Sequence, residues 1–252
     1  MQCVILAGGL GTRMRPLTTT VPKTLIPVAD TPFAYYQLRW LVAHGITSVV
    51  YSIAVLGDMI RDYVGDGSRW GLPVSYVEDG PELAGTGGAL RLVYDAGLLH
   101  DRFLVLYGDS FLPFDFNELV HGFESQSRPA MMAVYRNQGR FDTGNVRFAN
   151  GVVSLYSKNK AGASPDLHYI DYGVSALKAS LVADRIPAAE KNDLADIYHR
   201  LSLEDNLAGW EVSERFYEVG SPSGLRDFEG WVAEHPVSTW AEASSYSTAT
   251  AS

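Results

Sequence analysis

The residues best suited to phosphate chemistry lie close together near the start of the chain. Gly8, Gly9 and Gly11 follow a short apolar segment, and the cations Arg13 and Lys23 come next. Neighbouring glycines let a backbone turn tightly enough to aim several N–H groups at phosphate oxygens, and an arginine adds a bidentate contact. The first 29 residues hold no Asp or Glu, although the whole chain has a net charge of −9. The pattern predicts a local anion site, and a plain glycine turn is the simpler alternative.

Several motifs of other enzyme classes do not occur in the sequence. No lysine follows Gly11 as a Walker loop requires, and Met14 stands where the dinucleotide fingerprint needs its last glycine. The sequence also contains no His-x-x-x-His pair for zinc and no Gly-x-Ser-x-Gly elbow. A nicotinamide-dependent oxidoreductase remains an alternative. Only the α/β pattern supports it, since the dinucleotide fingerprint is missing.

The elements that must position this loop alternate between strand and helix through the first half. Such alternation predicts βαβ units and an α/β fold with a mostly parallel, Rossmann-like, doubly wound sheet. Ligands of such sheets bind at the carboxyl ends of strands, where both Gly8-Gly9 and Asp109 fall. The predicted strands cover 2–7, 48–53, 74–77, 103–107 and 131–135, and the predicted helices cover 33–44, 58–64, 89–99 and 117–125.

The second half has a different pattern, which predicts a small antiparallel extension of the sheet. Its predicted strands are 146–148, 152–156 and 168–176, and its predicted helices are 194–208 and 223–234. No linker or internal repeat divides the chain, so we expect a single domain over 1–235. Eight of the 17 residues in 236–252 are Ser or Thr, and we expect a flexible tail there.

Composition narrows the function classes further. A net charge of −9 argues against nucleic-acid binding, which needs a positive surface. No apolar run reaches the roughly 18 residues of a membrane span, and the first residues resemble a strand rather than a signal peptide. Cys3 is the only cysteine, so an internal disulfide is excluded. We therefore expect a cytoplasmic protein with no membrane partner.

The glycine loop with Pro22-Lys23 resembles the signature of sugar-phosphate nucleotidyltransferases, most closely the members acting on heptose or mannose 1-phosphates with GTP. The resemblance extends in the expected order over roughly residues 1–230, through Gly85-Thr86-Gly87-Gly88-Ala89, Gly108-Asp109, Gly144 and Glu218-Val219-Gly220-Ser221-Pro222. It implies transfer of a nucleoside monophosphate from a triphosphate to a sugar 1-phosphate, giving a nucleotide sugar and pyrophosphate. Residues 1–135 would then bind the nucleotide, and 136–235 would bind the sugar.

The resemblance also implies roles for individual residues. Arg13, Lys23 and Asp109 would be the catalytic residues, with the two cations stabilising charge during transfer. Backbone atoms of the glycine loop would hold the triphosphate, and those near Gly85 would face the base. The implied nucleotide-binding residues are Leu6, Ala7, Gly8, Gly9, Gly11, Thr12, Arg13, Gly85 and Thr86. The glycines from Gly85 also predict an open helix N-terminus that could accept an anion.

Mg²⁺ is the cofactor that the resemblance implies, with Asp109 and Glu218 as its ligands. Carboxylate oxygens are ligands that Mg²⁺ commonly takes together with phosphate oxygens and water. Glu218 departs from the family, which usually has Asp two residues before this glycine. Its side chain is one methylene longer, so the ion would shift slightly or the second ligand would be weaker.

On the sugar side, the resemblance assigns Gly144, Lys158 and Asp171. Lys160 is a rival to Lys158 for the sugar phosphate, because Ser157 replaces the glutamate that usually precedes this lysine. Asp171 stands where the family usually has Asn, and it can accept but not donate hydrogen bonds when ionised. Tyr172 adds bulk beside it. These changes predict a sugar other than the commonest hexoses, or a different hydroxyl pattern.

The segment Gly85-Thr86-Gly87-Gly88-Ala89 resembles that of guanylyltransferases acting on heptose or mannose 1-phosphates, and this resemblance favours GTP as the donor; UTP, dTTP, CTP and ATP remain open. Two further alternatives also remain open. One is a non-catalytic relative that binds nucleotide sugars and regulates a partner, and the other is a cytidylyltransferase for a non-sugar phosphate such as phosphocholine. Related enzymes are often oligomers, so a homo-oligomer is possible, although no sequence feature marks an interface.

Overall fold

A computed structural model describes residues 1–80, 83–141, 143–157 and 166–240. Strands and helices alternate through the first half, as the sequence predicts. The strands are β1 (Gln2–Leu6), β2 (Pro27–Val28), β3 (Thr31–Pro32), β4 (Ser48–Ile53), β5 (Val74–Glu78), β6 (Arg102–Tyr107), β7 (Ser110–Phe111), β8 (Ala130–Arg136), β9 (Val146–Ala149), β10 (Val152–Tyr156), β11 (Tyr169–Lys178), β12 (Leu207–Val212) and β13 (Tyr217–Glu218).

Nine strands form one sheet in the order β5-β4-β1-β6-β11-β8-β12-β10-β9. Strands β5, β4, β1 and β6 run parallel, and β8 pairs with β12 in parallel. Leu6 at the end of β1 lies opposite Ser52 on β4 and Tyr107 on β6, so these strands end level with one another. The mostly parallel Rossmann-like sheet is confirmed, and its carboxyl edge collects the segments that follow β1, β4, β5 and β6.

Antiparallel strands from the second half join the same sheet. Strand β11 lies between β6 and β8 and is antiparallel to both, while β10 pairs with β12 and β9. The register of β11 shifts between Asp171 and Ser175, where Gly173 has a φ of +105°. The bulge needs glycine at that point, because L side chains rarely adopt such a backbone.

Helices cover both faces of the sheet, so its inner strands are buried on both sides. The helices are α1 (Phe33–Ala43), α2 (Gly57–Val64), α3 (Gly85–Asp95), α4 (Phe116–Glu124), α5 (Ala179–Arg185), α6 (Leu194–Leu203) and α7 (Pro222–Glu234). Cys3 and Ile5 of β1 pack on the face of α1, α2, α4 and α7, whereas Val4 and Leu6 pack on the face of α3, α5 and α6. Within the described ranges, no helix is long and apolar enough to cross a membrane.

Two predicted helices differ from the observed ones. Helix α3 begins at Gly85 rather than Ala89, because a neighbouring loop hydrogen-bonds its first turn and offsets the poor helix propensity of glycine. Helix α6 ends at Leu203 rather than continuing to Ala208, since Asp205 has a positive φ of 58°. The chain then enters β12, a strand that the sequence analysis missed and that lies inside the sheet.

The C-terminal boundary of the packed chain lies further along than the predicted tail implies. Val237–Thr239 forms a short 3-10 helix, and the Trp240 side chain is only 4% exposed. Its ring packs edge-on against Trp40 with centroids 5.1 Å apart, and it also contacts Phe111 and Trp231. Packing therefore continues to Trp240, so the start of the tail at 236 was placed too early; residues 241–252 lie outside the described ranges.

Trp240→Ala should therefore lower the free energy of unfolding by about 3–5 kcal/mol, because it removes a large buried ring from an aromatic cluster. For a chain of this size, each kcal/mol corresponds to about 2–4 °C in Tm. Urea unfolding followed by far-ultraviolet circular dichroism measures the free energy of unfolding, since this signal does not depend on the tryptophan that is removed. Ser238→Ala, at an exposed neighbouring position, is the control and should stay within about 0.5 kcal/mol of the parent. Equal stability of the two variants would show that the segment after Pro236 is not part of the core.

Candidate functional site

A cavity of about 280 Å³ opens at the carboxyl edge of the parallel strands. Its walls come from the end of β4, the segments that follow β1, β5 and β6, the turn at Lys23-Thr24 and the first turn of α3. The cavity is lined by Leu6, Ala7, Gly8, Gly9, Lys23, Thr24, Ser52, Asp79, Leu83, Gly85, Thr86, Ala89, Tyr107, Gly108 and Asp109. The structure therefore gathers most of the predicted nucleotide-binding residues, together with the predicted catalytic residues Lys23 and Asp109.

The glycine loop presents free donors beside this cavity. No described residue accepts a hydrogen bond from the backbone N–H of Gly8 or Gly9. Gly11 adopts a left-handed conformation with a φ of +61°, and the Thr18 hydroxyl donates to its carbonyl oxygen at 2.7 Å. A side chain on Gly11 would meet Thr18 at 2.9 Å, so the turn depends on glycine. Gly11 and Thr12 do not line the cavity wall; they shape the turn that leads to Arg13.

The first turn of α3 is only partly open as the anion site that the glycines predicted. The backbone N–H groups of Gly87 and Gly88 both donate to the carbonyl oxygen of Asn192, at 2.9 and 3.3 Å. A Cβ on Gly85 would lie 2.3 Å from the same oxygen, so the glycine run permits a close approach between two chain segments. The Thr86 hydroxyl donates to Asp193 at 2.9 Å. The N–H groups of Gly87 and Gly88 are therefore occupied, whereas no described residue accepts from the N–H groups of Gly85 and Thr86, which line the cavity.

Lys23 and Asp109 form an ion pair at the other end of the cavity. Lys23 Nζ lies 2.6 Å from Asp109 Oδ2, and both side chains are about one-fifth exposed. The turn that carries Asp109 is fixed on both sides: the Thr24 hydroxyl donates to the Gly108 carbonyl at 3.2 Å, and the Gln37 amide donates to the carbonyls of the residues on either side of Gly108-Asp109. The predicted cation and carboxylate thus meet across 86 residues of sequence.

The short strand pair β7–β13 brings Glu218 next to Asp109. Glu218 lies opposite Ser110 in this pair, and the Val219 N–H donates to the Asp109 carbonyl at 2.9 Å. A Cβ on Gly220 would lie 2.7 Å from Glu218 Oε2, 2.9 Å from Asp109 Oδ2 and 3.2 Å from Arg13 Nη2. Two carboxylates and an arginine therefore border one small space that only a glycine leaves open.

This space fits a magnesium ion held by few protein ligands. Mg²⁺ commonly uses one or two carboxylates and completes its shell with phosphate oxygens and water. Among the described residues, no group of three or more potential metal ligands occurs, so the protein offers a pair rather than a cage. Glu218 already accepts from the Gly220 N–H at 2.6 Å and from the Ser221 hydroxyl, which fixes the longer side chain in place.

A second cavity, of about 490 Å³, lies on the other side of Asp109. It contains Arg13 and two arginines that the sequence analysis missed. Arg215 stacks on Phe141 at 4.3 Å and on Tyr217 at 5.0 Å. The second cavity is lined by Arg13, Asp109, Ser110, Arg140, Phe141, Arg215, Phe216, Tyr217, Glu218, Ser221, Ser223, Gly224 and Asp227. Arginines flanking the carboxylate pair make this cavity suitable for phosphate groups that reach the same centre.

Asp171 lies at the same edge of the sheet, one strand beyond Asp109. Strand β11 is antiparallel to β6, with Val174 opposite Leu106. Its earlier residues therefore extend beyond the end of β6, and Asp171 lies beside the turn that carries Asp109. Burial of its carboxyl group raises the pKa of Asp171 to about 6, and a hydrogen bond from the Gly173 N–H acts against this.

Tyr172 points to the opposite side of the strand from Asp171. It is 2% exposed and packs against Phe114, Tyr135 and Phe216 in the α1 face of the core. The expectation that Tyr172 adds bulk beside Asp171 is wrong, because neighbouring residues of a strand point to opposite faces.

The remaining sugar-side predictions are less fully described. A Cβ on Gly144 would lie 1.7 Å from the Leu167 carbonyl, so glycine is required there for chain packing. Gly144 lines neither of the two cavities, and its contact with a sugar stays a prediction. Lys158 and Lys160 lie outside the described residues.

Asp79 and Ser52 also face the first cavity, and the sequence analysis did not select them. The Ser52 hydroxyl donates to Asp79 Oδ1 at 2.9 Å, and burial raises the pKa of Asp79 above its ordinary value. A signal for Asp79 was present: it follows a predicted strand in the same way as Asp109 does. Ser52 gave no such signal, because it lies inside a strand.

Curated relatives of known name match most or part of the chain. A UTP–glucose-1-phosphate uridylyltransferase of Synechocystis sp. is 33% identical over 229 residues, covering 86% of this chain and 58% of the relative. A glucose-1-phosphate thymidylyltransferase of Streptomyces antibioticus is 37% identical over 130 residues, covering 52% of this chain and 36% of the relative. The catalytic subunit beta of a Xenopus tropicalis mannose-1-phosphate guanylyltransferase is 26% identical, covering 88% of this chain and 62% of the relative. The chain thus spans 36% to 62% of the length of these relatives.

Solved structures with this fold include a Bacillus anthracis protein described as a glucose-1-phosphate thymidylyltransferase in complex with sucrose. It superposes with a TM-score of 0.77 at 23% identity, covering 92% of this chain and 94% of that one. HddC from Yersinia pseudotuberculosis, complexed with GMP-PN, superposes with a TM-score of 0.71 at 20% identity, covering 90% and 96%. At these identities the likeness shows a shared fold. The nucleotidyl transferase family model matches residues 2–202, which is most of the chain, and the protein therefore belongs to the nucleotidyl transferase family, as a relative of enzymes that act on sugar 1-phosphates.

Proposed function

We propose that this protein transfers a nucleoside monophosphate from a nucleoside triphosphate to a sugar 1-phosphate and releases pyrophosphate. The observation that carries the proposal is the Lys23–Asp109 pair at one end of a cavity whose wall presents the free N–H groups of Gly8 and Gly9. Free backbone donors and a cation suit a triphosphate, and the carboxylate suits the metal that accompanies it. Family membership supports the same reaction class.

The reaction joins two phosphates by an in-line displacement. An oxygen of the sugar phosphate attacks the α-phosphorus, the bond from this phosphorus to the bridging oxygen of the β-phosphate breaks, and pyrophosphate leaves with those electrons. The attacking phosphate is already ionised, so no side chain needs to take a proton. Catalysis then consists of positioning and charge stabilisation, which Lys23 and Arg13 supply at the two sides of Asp109.

Mg²⁺ would be held by Asp109 and Glu218, which border the space beside Gly220. When bound, the ion neutralises phosphate charge. Lys23 would contact a phosphate oxygen of the triphosphate, and Asp109, its present partner at 2.6 Å, would be one of the two residues that hold the ion.

For the donor we propose GTP, and for the acceptor a heptose or hexose 1-phosphate. The relatives do not agree on a base, since their names include uridylyl, thymidylyl and guanylyl transferases. The glycine run from Gly85 to Gly88 favours GTP by its resemblance to guanylyltransferases. The close approach of Gly85 to Asn192 shapes the wall that a base would face.

Pyrophosphate release with Mg²⁺ tests the proposal. The assay crosses five nucleoside triphosphates with hexose, aminohexose and heptose 1-phosphates. Release that requires both GTP and one sugar phosphate is the expected result. Pyrophosphate release with phosphocholine, and with none of the sugar phosphates, would refute the proposed acceptor class. Tight binding of a triphosphate without release on any acceptor would instead support a regulatory relative.

Arg13→Ala should lower kcat on the order of 100-fold to 1000-fold, because the guanidinium group borders the carboxylate pair where charge develops. Arg15→Ala is a matched control two residues away, at an exposed position outside both cavities, and should keep full activity. The measurement is steady-state pyrophosphate release at saturating substrates. An Arg13→Ala enzyme with the parent's kcat would remove Arg13 from the catalytic set.

Glu218→Gln should raise the Mg²⁺ concentration for half-maximal activity by at least about tenfold, the effect expected even for partners one shell away from a metal. The amide keeps the size of the side chain but removes its charge. A magnesium titration at fixed substrates measures this effect, and Glu214→Gln, at an exposed position nearby, is the control. An unchanged titration in Glu218→Gln would leave Asp109 as the protein's sole proposed ligand.

The KM for the sugar phosphate should rise as the pH falls through about 6, because Asp171 titrates there and its neutral form is a weaker acceptor for sugar hydroxyls. The carboxylate form, and with it tight binding, is present above this pH. Phosphate monoesters ionise in the same range. Asp171→Asn isolates the protein's share: its KM should lose part of the pH dependence between 5 and 8. The same profile in parent and variant would show that Asp171 does not contact the acceptor.

A further inference from the structure

Asp79 is a half-buried acid that lines the first cavity on the side of β5, away from Asp109. It directly follows β5, and its backbone N–H donates to the Ile53 carbonyl at 3.0 Å, which fixes it at the edge of the sheet. Strands β5 and β6 are three places apart in the sheet, so the backbones that carry Asp79 and Asp109 are separated by about 14 Å of strand spacing. Asp79 does not border the space beside Gly220 that the two carboxylates of the proposed metal site share, so its position points to a different role.

Among the described residues, the Asp79 carboxylate accepts hydrogen bonds from the Ser52 hydroxyl, which donates to Oδ1 at 2.9 Å, and from the Ala84 backbone N–H. Its Oδ2 leans over the glycine loop, 3.2 Å from where a Cβ on Gly8 would lie. Within the described ranges, no lysine, arginine or histidine forms an ion pair with it. A half-buried carboxylate without a cation is stabilised by every further donor that reaches it, and its two oxygens can accept more than two hydrogen bonds. The cavity beside Asp79 is the place from which further donors can come.

Only one common base presents two adjacent donors to such a group. Guanine offers N1–H and the 2-amino group side by side, which match two carboxylate oxygens. Uracil and thymine offer a single N3–H between two carbonyl oxygens, and those oxygens repel a carboxylate. Adenine and cytosine place an unprotonated ring nitrogen beside their amino group, so one contact would be repulsive.

We propose that Asp79 selects guanine by accepting hydrogen bonds from its N1–H and 2-amino groups at the end of the cavity away from the Lys23–Asp109 pair. The inference rests on the proposed function, because the base that Asp79 would contact belongs to the proposed donor nucleotide. Ser52 holds the carboxylate in orientation, and the absence of a side chain on Gly8 leaves Oδ2 accessible to the base edge.

Base analogues test this contact on the unaltered chain. Inosine triphosphate lacks the 2-amino group but is otherwise guanosine triphosphate. The parent protein should use GTP at least about tenfold better than inosine triphosphate in kcat/KM, since one charge-assisted hydrogen bond is lost. Equal use of the two nucleotides would overturn the proposal.

Asp79→Asn provides a gain of function that misfolding cannot imitate. Xanthine has an oxygen in place of the 2-amino group, so an amide at position 79 can accept from N1–H and donate to that oxygen. The variant should lose about 100-fold in kcat/KM with GTP and should prefer xanthosine triphosphate to GTP. Asp62→Asn, an exposed acid on α2, is the control and should keep the parent's preference. An Asp79→Asn protein that still prefers GTP would refute the contact.

Failure of the inference can be separated from failure of the proposed function. Turnover with GTP and an unchanged GTP-to-inosine ratio in Asp79→Asn would overturn the role of Asp79 and leave the transferase intact. Turnover with UTP or dTTP alone would also overturn it. If no acceptor gives turnover, calorimetric binding of GTP, inosine and xanthosine triphosphates to parent and variant still decides the question, because base selection requires no chemistry.

Discussion

The ion pair between Lys23 and Asp109 is the contact around which the site is arranged. It joins the end of the glycine loop to the end of β6, and its 2.6 Å separation depends on two turns that other side chains fix. Thr24 and Gln37 bind the backbone around Asp109, and both lie in segments that follow the loop. In the absence of substrate the two charges neutralise each other at a partly buried position. The proposed substrates would offer each charge a new partner, an anion for Lys23 and a cation for Asp109, so that neither would be left buried and unpaired.

A second constraint acts through Glu218. A glutamate where the family usually has aspartate brings its carboxylate one methylene closer to the centre, and the loop after it accommodates the difference. Gly220 and Ser221 donate to the two carboxylate oxygens, and a side chain on Gly224 would collide with Oε1 at 2.0 Å. The longer acid is therefore held by a loop adapted to it. This packing holds the Glu218 carboxylate beside Asp109, where the proposed metal site requires it.

Sequence patterns predicted the parallel half of the fold well, because buried parallel strands give continuous apolar runs. The strand at Ser48–Ile53 was predicted with its observed bounds. The same patterns did not predict β12, because its pairing with β8 is a long-range contact that leaves no local signal in the sequence. For the site, the glycine loop, Lys23 and Asp109 could be predicted since family motifs carry them. Arg140 and Arg215 could not, because their place beside Arg13 depends on how distant loops meet.

Helix α6 connects the two ends of the site. Thr86 in the cavity wall donates to Asp193, and Asp193 caps α6 by accepting from the Ala195 N–H at 3.0 Å. Further along this helix, Tyr198 lies near Asp171: burial raises the pKa of the Tyr198 hydroxyl, and the charge of the Asp171 carboxylate raises it further. One helix of ten residues therefore contacts both the wall of the first cavity, through Asp193, and the strand that carries Asp171, through Tyr198.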